Sequence, residues 1–389
     1  MKKLAFIRVG ALGDVLVSLA ALEVVCEENP DHETWVIGLP VFREVLFPSA
    51  WPRVARFIET DKKARFAREF KAENGRWVEV KKTRSLKEAL AECHTSIDLR
   101  IESNRFGLLA FRAGVIKRYG CCPWYLGWLY THWSPWLGMT PIIHERDRML
   151  RVLEARENTP WFFKTCQGNR KALREEQSHG NHKRNKFLVE QPGQAPSSLA
   201  YRYFKKGLPP IKTDNEIRPF EIHGKYPGYL LINPTASDRL KAWPAEKFKT
   251  FIRAIEGFAE KNRLSLVVTG APSETSWLLE TVAEENIVQP PGISELVDLV
   301  AGASMLVANT SSVQFIANCM KVPAFVFMGR TYPARWGPLG SKDSFIYGKI
   351  PANFKGTIHE EDFAGYDSIE VEDALQKFSE FVQSLGFSW

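Results

Sequence analysis

Four short stretches of the 389-residue chain carry residue types that bind or activate polar substrates, and each follows an apolar run. Gly10-Ala11-Leu12-Gly13-Asp14 sets two glycines and a carboxylate between the apolar residues 4–9 and a segment with helical periodicity. Glycines let a substrate approach backbone N–H groups. A carboxylate at a helix N-terminus either caps the helix or takes a proton from a bound hydroxyl. The spacing is not that of the dinucleotide fingerprint G-x-G-x-x-G, which argues against an NAD site. Asn233-Pro234-Thr235-Ala236-Ser237, with Lys241-Ala242-Trp243-Pro244 behind it, supplies hydroxyls, an ammonium and an oncoming helix, a set that suits a diphosphate. Gly270-Ala271-Pro272-Ser273-Glu274 offers a carboxylate able to accept the two hydrogens of a ribose diol. Asn309-Thr310-Ser311-Ser312-Val313-Gln314 leads into an apolar helical segment and makes another N-terminal anion cradle.

The elements that must hold these loops alternate between strand and helix. In the first half, residues 4–9, 35–38, 54–58 and 96–101 read as strands separated by helical or loop material, and Val15, Leu16, Leu19, Leu22 and Val25 recur at helical spacing after Asp14. In the second half the strands are 229–233, 264–270, 305–309 and 324–329, each ending in a small or polar residue. Alternation of this kind builds an α/β fold with parallel sheets, whose ligands sit beyond the carboxyl ends of the strands. Polar residues 165–198 read as an exposed linker or insertion. The expected domains are therefore 1–164 and 225–389, with 165–224 between them. Three polar loops on one alternating stretch, closed by Arg335-Trp336-Gly337-Pro338-Leu339-Gly340, form the pattern of a nucleotide-sugar site.

Bulk properties narrow the class. A hydrophobic fraction of 44% is that of a folded globular chain, and no run approaches the length a spanning helix needs. Arg8 and Asp14 interrupt the apolar opening, so it reads as a buried strand and the expected location is cytoplasmic. The six cysteines show no C-x-x-C spacing and read as buried thiols, with no metal expected. Residues 1–222 hold 37 Lys+Arg against 26 Asp+Glu (+11), and residues 223–389 hold 15 against 19 (−4). The positive half suits an anionic partner. No nucleic-acid motif accompanies it, so nucleic acid ranks last. The aromatic stretch 124–136 has two readings: a helix and turn packed onto the first domain, which is preferred, or a peripheral contact with a membrane interface.

In order and spacing these motifs resemble glycosyltransferase family 9, the lipopolysaccharide heptosyltransferases, over residues 1–160 and 225–385. The resemblance is carried by Gly10-x-x-Gly13-Asp14, Asp98-Leu99-Arg100 through Arg105, His144 to Leu150, Asn233-Pro234-Thr235 with Lys241-Ala242-Trp243-Pro244, Gly270-Ala271-Pro272-x-Glu274, and Gly329-x-Thr331-x-Pro333. It implies the GT-B fold, two facing Rossmann-like domains, and inverting, metal-free transfer without a cofactor. The implied donor is ADP-heptose and the implied acceptor an anionic inner-core glycolipid, handled at the cytoplasmic face of the inner membrane. Asp14 is then the base, Thr235, Ala236 and Lys241 meet the diphosphate, and Glu274 meets the ribose. Asn309, Thr310, Ser311 and Gln314 meet the phosphates and the donor sugar, and Arg8, Gly10, Gly13, Arg100 and Arg105 lie on the acceptor side. The family usually writes D-[ST]-G-x-x-H where this chain has Asn309, Thr310, Ser311 and Gln314, so neutral amides replace two titratable groups. That departure keeps three alternatives in view: another nucleotide-sugar, another acceptor such as a protein hydroxyl, or a binding protein with impaired turnover.

Overall fold

The apolar opening forms strand β1 (Lys2–Arg8), buried from Leu4 onward, as suits a strand covered on both faces. The computed structural model describes residues 1–100, 104–122, 124–135, 144–157, 207–220, 222, 224–331, 333–349 and 365–389; the polar segment 165–198 lies outside them. The chain divides into two compact units. One comprises residues 1–43 and 51–206, the other residues 44–50 and 207–389.

In the first unit β1 is followed by α1 (Leu12–Glu28), β2 (His32–Gly38), α2 (Pro40–Val45), β3 (Val54–Glu59), β4 (Ala67–Glu73) and β5 (Arg76–Arg84). Then come α3 (Leu86–Ala91), β6 (Thr95–Asp98), α4 (Arg105–Arg112), β7 (Lys117–Cys122), β8 (His132–Pro135), α5 (Glu145–Leu153) and β9 (Arg156–Glu157). The sheet order is β5-β4-β3-β2-β1-β6-β7-β8-β9. The six inner strands β3 to β8 are parallel, in the order of a doubly wound sheet that reverses between β1 and β6. Helix α1 is apolar nearly all round, with Val15–Val17 and Leu19–Leu22 buried. It is covered on one side by the sheet and on another by α5. The antiparallel hairpin β4–β5 was not anticipated. Its strands are heavily charged, and its signal is the turn Asn74-Gly75, both in the left-handed region (φ 49° and 74°) that a tight hairpin requires.

The second unit holds β10 (Gly228–Asn233), α6 (Ala245–Lys261), β11 (Leu264–Thr269), α7 (Thr275–Leu278), β12 (Ile287–Val288) and α8 (Ile293–Ala301). It continues with β13 (Met305–Asn309), α9 (Ser312–Cys319), β14 (Ala324–Met328), α10 (Pro333–Trp336), β15 (Ser344–Tyr347) and α11 (Val371–Ser384). All six strands are parallel, ordered β12-β11-β10-β13-β14-β15, with the reversal between β10 and β13. Aromatic residues fill one side of this sheet: Trp243 stacks on Phe327 at 4.3 Å, and Phe248, Phe251 and Phe378 pack around them edge-on or tilted. The approach to β10 is fastened down. Leu208 N donates to Asn318 Oδ1 at 2.7 Å, and buried Lys212 pairs with buried Asp298 at 2.6 Å. Residues 207–218 therefore fold with the second unit.

Candidate active site

Sequence order alone brings one loop from each side of a strand-order reversal to the same edge, which is where doubly wound sheets bind ligands. In the first unit that point lies between β1 and β6. Arg8 closes β1 and is buried; its guanidinium contacts Asp14 Oδ1 at 2.7 Å and donates to Leu99 O at 3.0 Å. Asp14 occupies the third position of α1, and its Oδ2 accepts the Ala11 N–H at 3.1 Å. The carboxylate thus both caps the helix and is held by a cation beneath it, while its side chain stays 30% exposed. A Cβ on residue 10 would meet Asp14 Cβ at 2.7 Å, so Gly10 is what lets this carboxylate fold back over the loop. Gly13 lies in the first turn of α1, half-buried.

Across the reversal Asp98 ends β6, fully enclosed. Its Oδ1 accepts Arg100 N at 3.0 Å and its Oδ2 accepts the Tyr130 hydroxyl at 2.8 Å. Burial pushes the Asp98 carboxyl up to about 6, opposed by those hydrogen bonds and by the Arg100 charge. Tyr130 reaches it through a slot that two glycines leave open. A Cβ on Gly120 or Gly107 would meet the tyrosine ring or hydroxyl at 2.1 Å and 2.4 Å respectively. Arg100 donates to Lys62 O at 3.0 Å and Arg105 to Lys63 O at 2.7 Å, so both brace the loop after β3. Sequence reasoning gave Tyr130 no role. It stands inside the aromatic stretch, which folds as a 3-10 turn (Trp124–Leu129) followed by β8, with Leu129, Tyr130 and Trp133 buried. Leu129, Tyr130 and Trp133 pack onto the first unit as the first reading expects, whereas residues 132–135 form a strand instead of a turn and Trp128 is 52% exposed; Trp136 lies outside the described residues.

In the second unit the reversal gathers three loops. The Thr235 hydroxyl donates to Glu274 Oε2 at 2.7 Å, and the same oxygen accepts Ala271 N at 2.8 Å. Beneath them Asn233 donates to Thr235 Oγ1 at 3.2 Å and to Thr269 O at 2.9 Å, and its Oδ1 faces the Ser311 hydroxyl at 3.4 Å. A Cβ on Gly270 would lie 3.0 Å from Glu274 Oε2 and 3.1 Å from Thr235 Oγ1, so the bare glycine makes room for the couple. Asn233 is the second residue whose part was missed. Its position at a strand end beside Thr235 is the signal.

Asn309 sits below this edge, fully buried. Its Oδ1 accepts Trp243 N at 3.0 Å and its Nδ2 donates to Pro234 O at 2.7 Å, so both ends of the amide are spent on the loop that carries Thr235 and Lys241. An aspartate could serve only the first of these partners. Trp243 pins the same loop from its far end by stacking on Phe327 and donating Nε1–H to Ile369 O at 3.0 Å. Lys241 ends a short 3-10 turn (Arg239–Lys241), exposed and without a hydrogen-bonded or ionic partner among the described residues. Its neighbour Arg239 is paired with Glu280 at 2.6 Å. Ala236 packs with Ala242 and Trp277 below the loop. Thr310 Oγ1 donates to Phe327 O at 3.1 Å. Ser311 precedes α9 without capping it, which leaves the first N–H groups of that helix free of a side-chain acceptor. Gln314, enclosed in α9, donates to Trp336 O at 2.8 Å and ties α9 to α10. Among the described residues no cluster of three or more His, Cys, Asp and Glu has metal-ligand geometry, and no helix is long and apolar enough to cross a membrane.

The family model for Glycosyltransferase family 9 (heptosyltransferase) matches residues 183–361, much of the second unit. Among solved structures, a glycosyl transferase family 9 protein from Veillonella parvula is similar at a TM-score of 0.64 and 16% identity, covering 98% of each chain. The Escherichia coli ADP-heptose LPS heptosyltransferase II gives 0.60 and 15% identity over 99% of this chain and 100% of that one. Escherichia coli heptosyltransferase WaaC with ADP gives 0.57 and 16% identity over 97% and 99%. No curated protein sequence matches. At these identities the structures establish the shared GT-B type of fold, and the family model carries the assignment of the second unit. Residues 183–361 thus match the model of glycosyltransferase family 9, the heptosyltransferase family, and the chain as a whole shares the fold of the heptosyltransferase structures.

Proposed function

We propose that the protein transfers a heptose from ADP-heptose to a sugar hydroxyl of an anionic, lipid-linked inner-core acceptor, with inversion and without a metal or other cofactor. The observation that carries the reading is the Thr235–Glu274 couple beside the exposed Lys241 and the uncapped N-terminus of α9, all at the β10/β13 reversal. That edge combines donors for a diphosphate with an acceptor for a ribose. Glu274 Oε2 is already taken twice inside the protein, so the ribose hydroxyls fall mainly to Oε1.

An inverting displacement needs a base for the incoming hydroxyl and charge to stabilise the departing diphosphate. Asp14 is the base. Arg8 fixes its orientation and leaves one carboxylate face toward solvent. Lys241 is the full positive charge at the leaving group, supported by the Thr235 loop and the α9 N–H groups. Arg8, Arg100 and Arg105 act on the acceptor side by positioning. Arg8 holds Asp14, and the other two brace the loop after β3.

One observation favours a second reading in which the donor sugar differs. Asn309 is consumed by the Pro234–Trp243 loop and Gln314 donates its Nε2–H to Trp336 O, and as neutral amides neither presents the charged group usual in the family. A panel of nucleotide-sugars, incubated with the full chain and a heptose-deficient inner-core acceptor and read by product mass, tests both. ADP-heptose is expected to give the transfer product. Turnover only with another donor, or only on a protein, would replace the proposal, and binding without turnover would make the chain a nucleotide-sugar-binding homologue.

A further inference from the structure

The described apolar core leaves few large side chains in solvent, yet three of them stand on neighbouring segments of the first unit. Phe111 is 44% exposed at the end of α4, Ile116 is 63% exposed in the turn before β7, and Trp128 is 52% exposed in the 3-10 turn. The Phe111 and Trp128 rings lie edge to face at 5.3 Å. Arg118 sits over Phe111 at 5.3 Å and donates to Val115 O and Leu129 O, which fastens the three segments into one surface. These side chains therefore form a rigid platform. Exposed aromatic and branched residues clustered in this way are the groups that enter the headgroup region of a bilayer.

The charge around the platform identifies the bilayer. Residues 103–144 contain no Asp or Glu, whereas Arg105, Arg112, Lys117 and Arg118 fall within them. Arg112 and Lys117 are exposed beside the apolar residues. Exposed cations set beside an apolar patch complement an anionic lipid surface, where each added Lys or Arg strengthens attachment. Position in the fold agrees. The patch lies at the amino-terminal edge of β7, whereas Asp14, Asp98 and the start of α4 lie at the carboxyl edge. The six residues of β7 place these edges about 20 Å apart.

We propose that Phe111, Ile116 and Trp128, with Arg112 and Lys117, dock the first unit on an anionic membrane surface so that the Asp14 edge stands off from it. The orientation toward an acceptor rests on the function proposed above; the lipid binding does not. The experiment sediments the full chain with vesicles of phosphatidylcholine alone and of equal parts phosphatidylcholine and phosphatidylglycerol. Binding to the anionic vesicles is expected, weakened by salt. It should fall about ten-fold or more in F111S/I116S/W128S and several-fold in R112Q/K117Q, which keeps the apolar platform intact should the first variant fold poorly. Equal binding to both vesicle types, no binding to either, or undiminished binding by folded variants would overturn the proposal. So would a wild-type dimer that these substitutions dissociate in the absence of lipid, since that assigns the patch to a second copy. Transfer to a water-soluble acceptor fragment, measured on the same proteins, separates the two ideas. Lost vesicle binding with retained transfer supports the platform, whereas lipid binding by a wild type that transfers nothing fails only the proposed function.

Discussion

Arg8 and Asp14, six residues apart, meet at 2.7 Å across the loop they enclose, and the cation is the more deeply buried of the two. A carboxylate that merely capped a helix would need only the Ala11 N–H it already receives. The added guanidinium fixes its direction.

Asp14→Asn preserves the shape of the loop, and its amide oxygen still accepts from Arg8. Transfer is expected to fall by roughly 10²–10⁴-fold, as for loss of a general base, with donor affinity unchanged. Single-turnover rates with calorimetry on the folded variant check this. A wild-type rate would reduce Asp14 to a helix cap.

Lys241 is exposed and its ammonium is taken up by no described neighbour, so Lys241→Ala leaves stability within about 0.5 kcal/mol. It should nevertheless cost on the order of 3 kcal/mol of transition-state stabilisation, about a hundred-fold in kcat. Unchanged turnover removes the residue from the mechanism.

Thr235→Val deletes the hydroxyl that joins Asn233 to Glu274. One net hydrogen bond of about 1 kcal/mol predicts a donor KM raised about five-fold with a smaller effect on kcat. If KM holds and only thermal stability drops, the couple is structural.

Asn309→Asp restores the residue type common in the family but sets a carboxylate oxygen against Pro234 O, which in the wild type accepts from the Asn309 amide. Thermal unfolding should show a loss of about 1–3 kcal/mol, with a looser Thr235–Lys241 loop and weaker nucleotide binding. A variant as stable as wild type would mean that the amide is dispensable there.

The Asp98 carboxyl, raised to about 6 by burial, binds a proton in the folded state that the unfolded chain has already released. Its contribution to stability is therefore full below about pH 4 and lost as pH rises through about 6, a change of roughly 3 kcal/mol. Asp98→Asn should flatten that part of the stability curve while keeping the acceptor for Arg100 N. Denaturant midpoints across the range measure it, and a wild-type curve unaltered by the substitution would show that Asp98 does not titrate there.

Much of this was legible in one dimension. Strands such as β1, β10 and β13 are short apolar runs bounded by polar or small residues, and each loop chosen for its chemistry does follow a strand. Periodicity and turn residues act over a few positions, so they survive in sequence. The hairpin β4–β5 did not, because charged residues hid its alternation. Nor did the attachment of residues 207–218 to the second unit, which depends on the Lys212–Asp298 pair 86 residues apart.

The sequence by itself determined which residue types stand at the ends of strands, and so the class of chemistry on offer. Only the tertiary structure decided how each is employed: Arg8 bound to Asp14, Tyr130 slotted between two glycines onto Asp98, and Asn309 turned inward to hold a loop. The reason is physical. Hydrogen bonds and close packing join groups that are distant along the chain, and a side chain's role follows from the partners that strand order brings within about 3 Å of it.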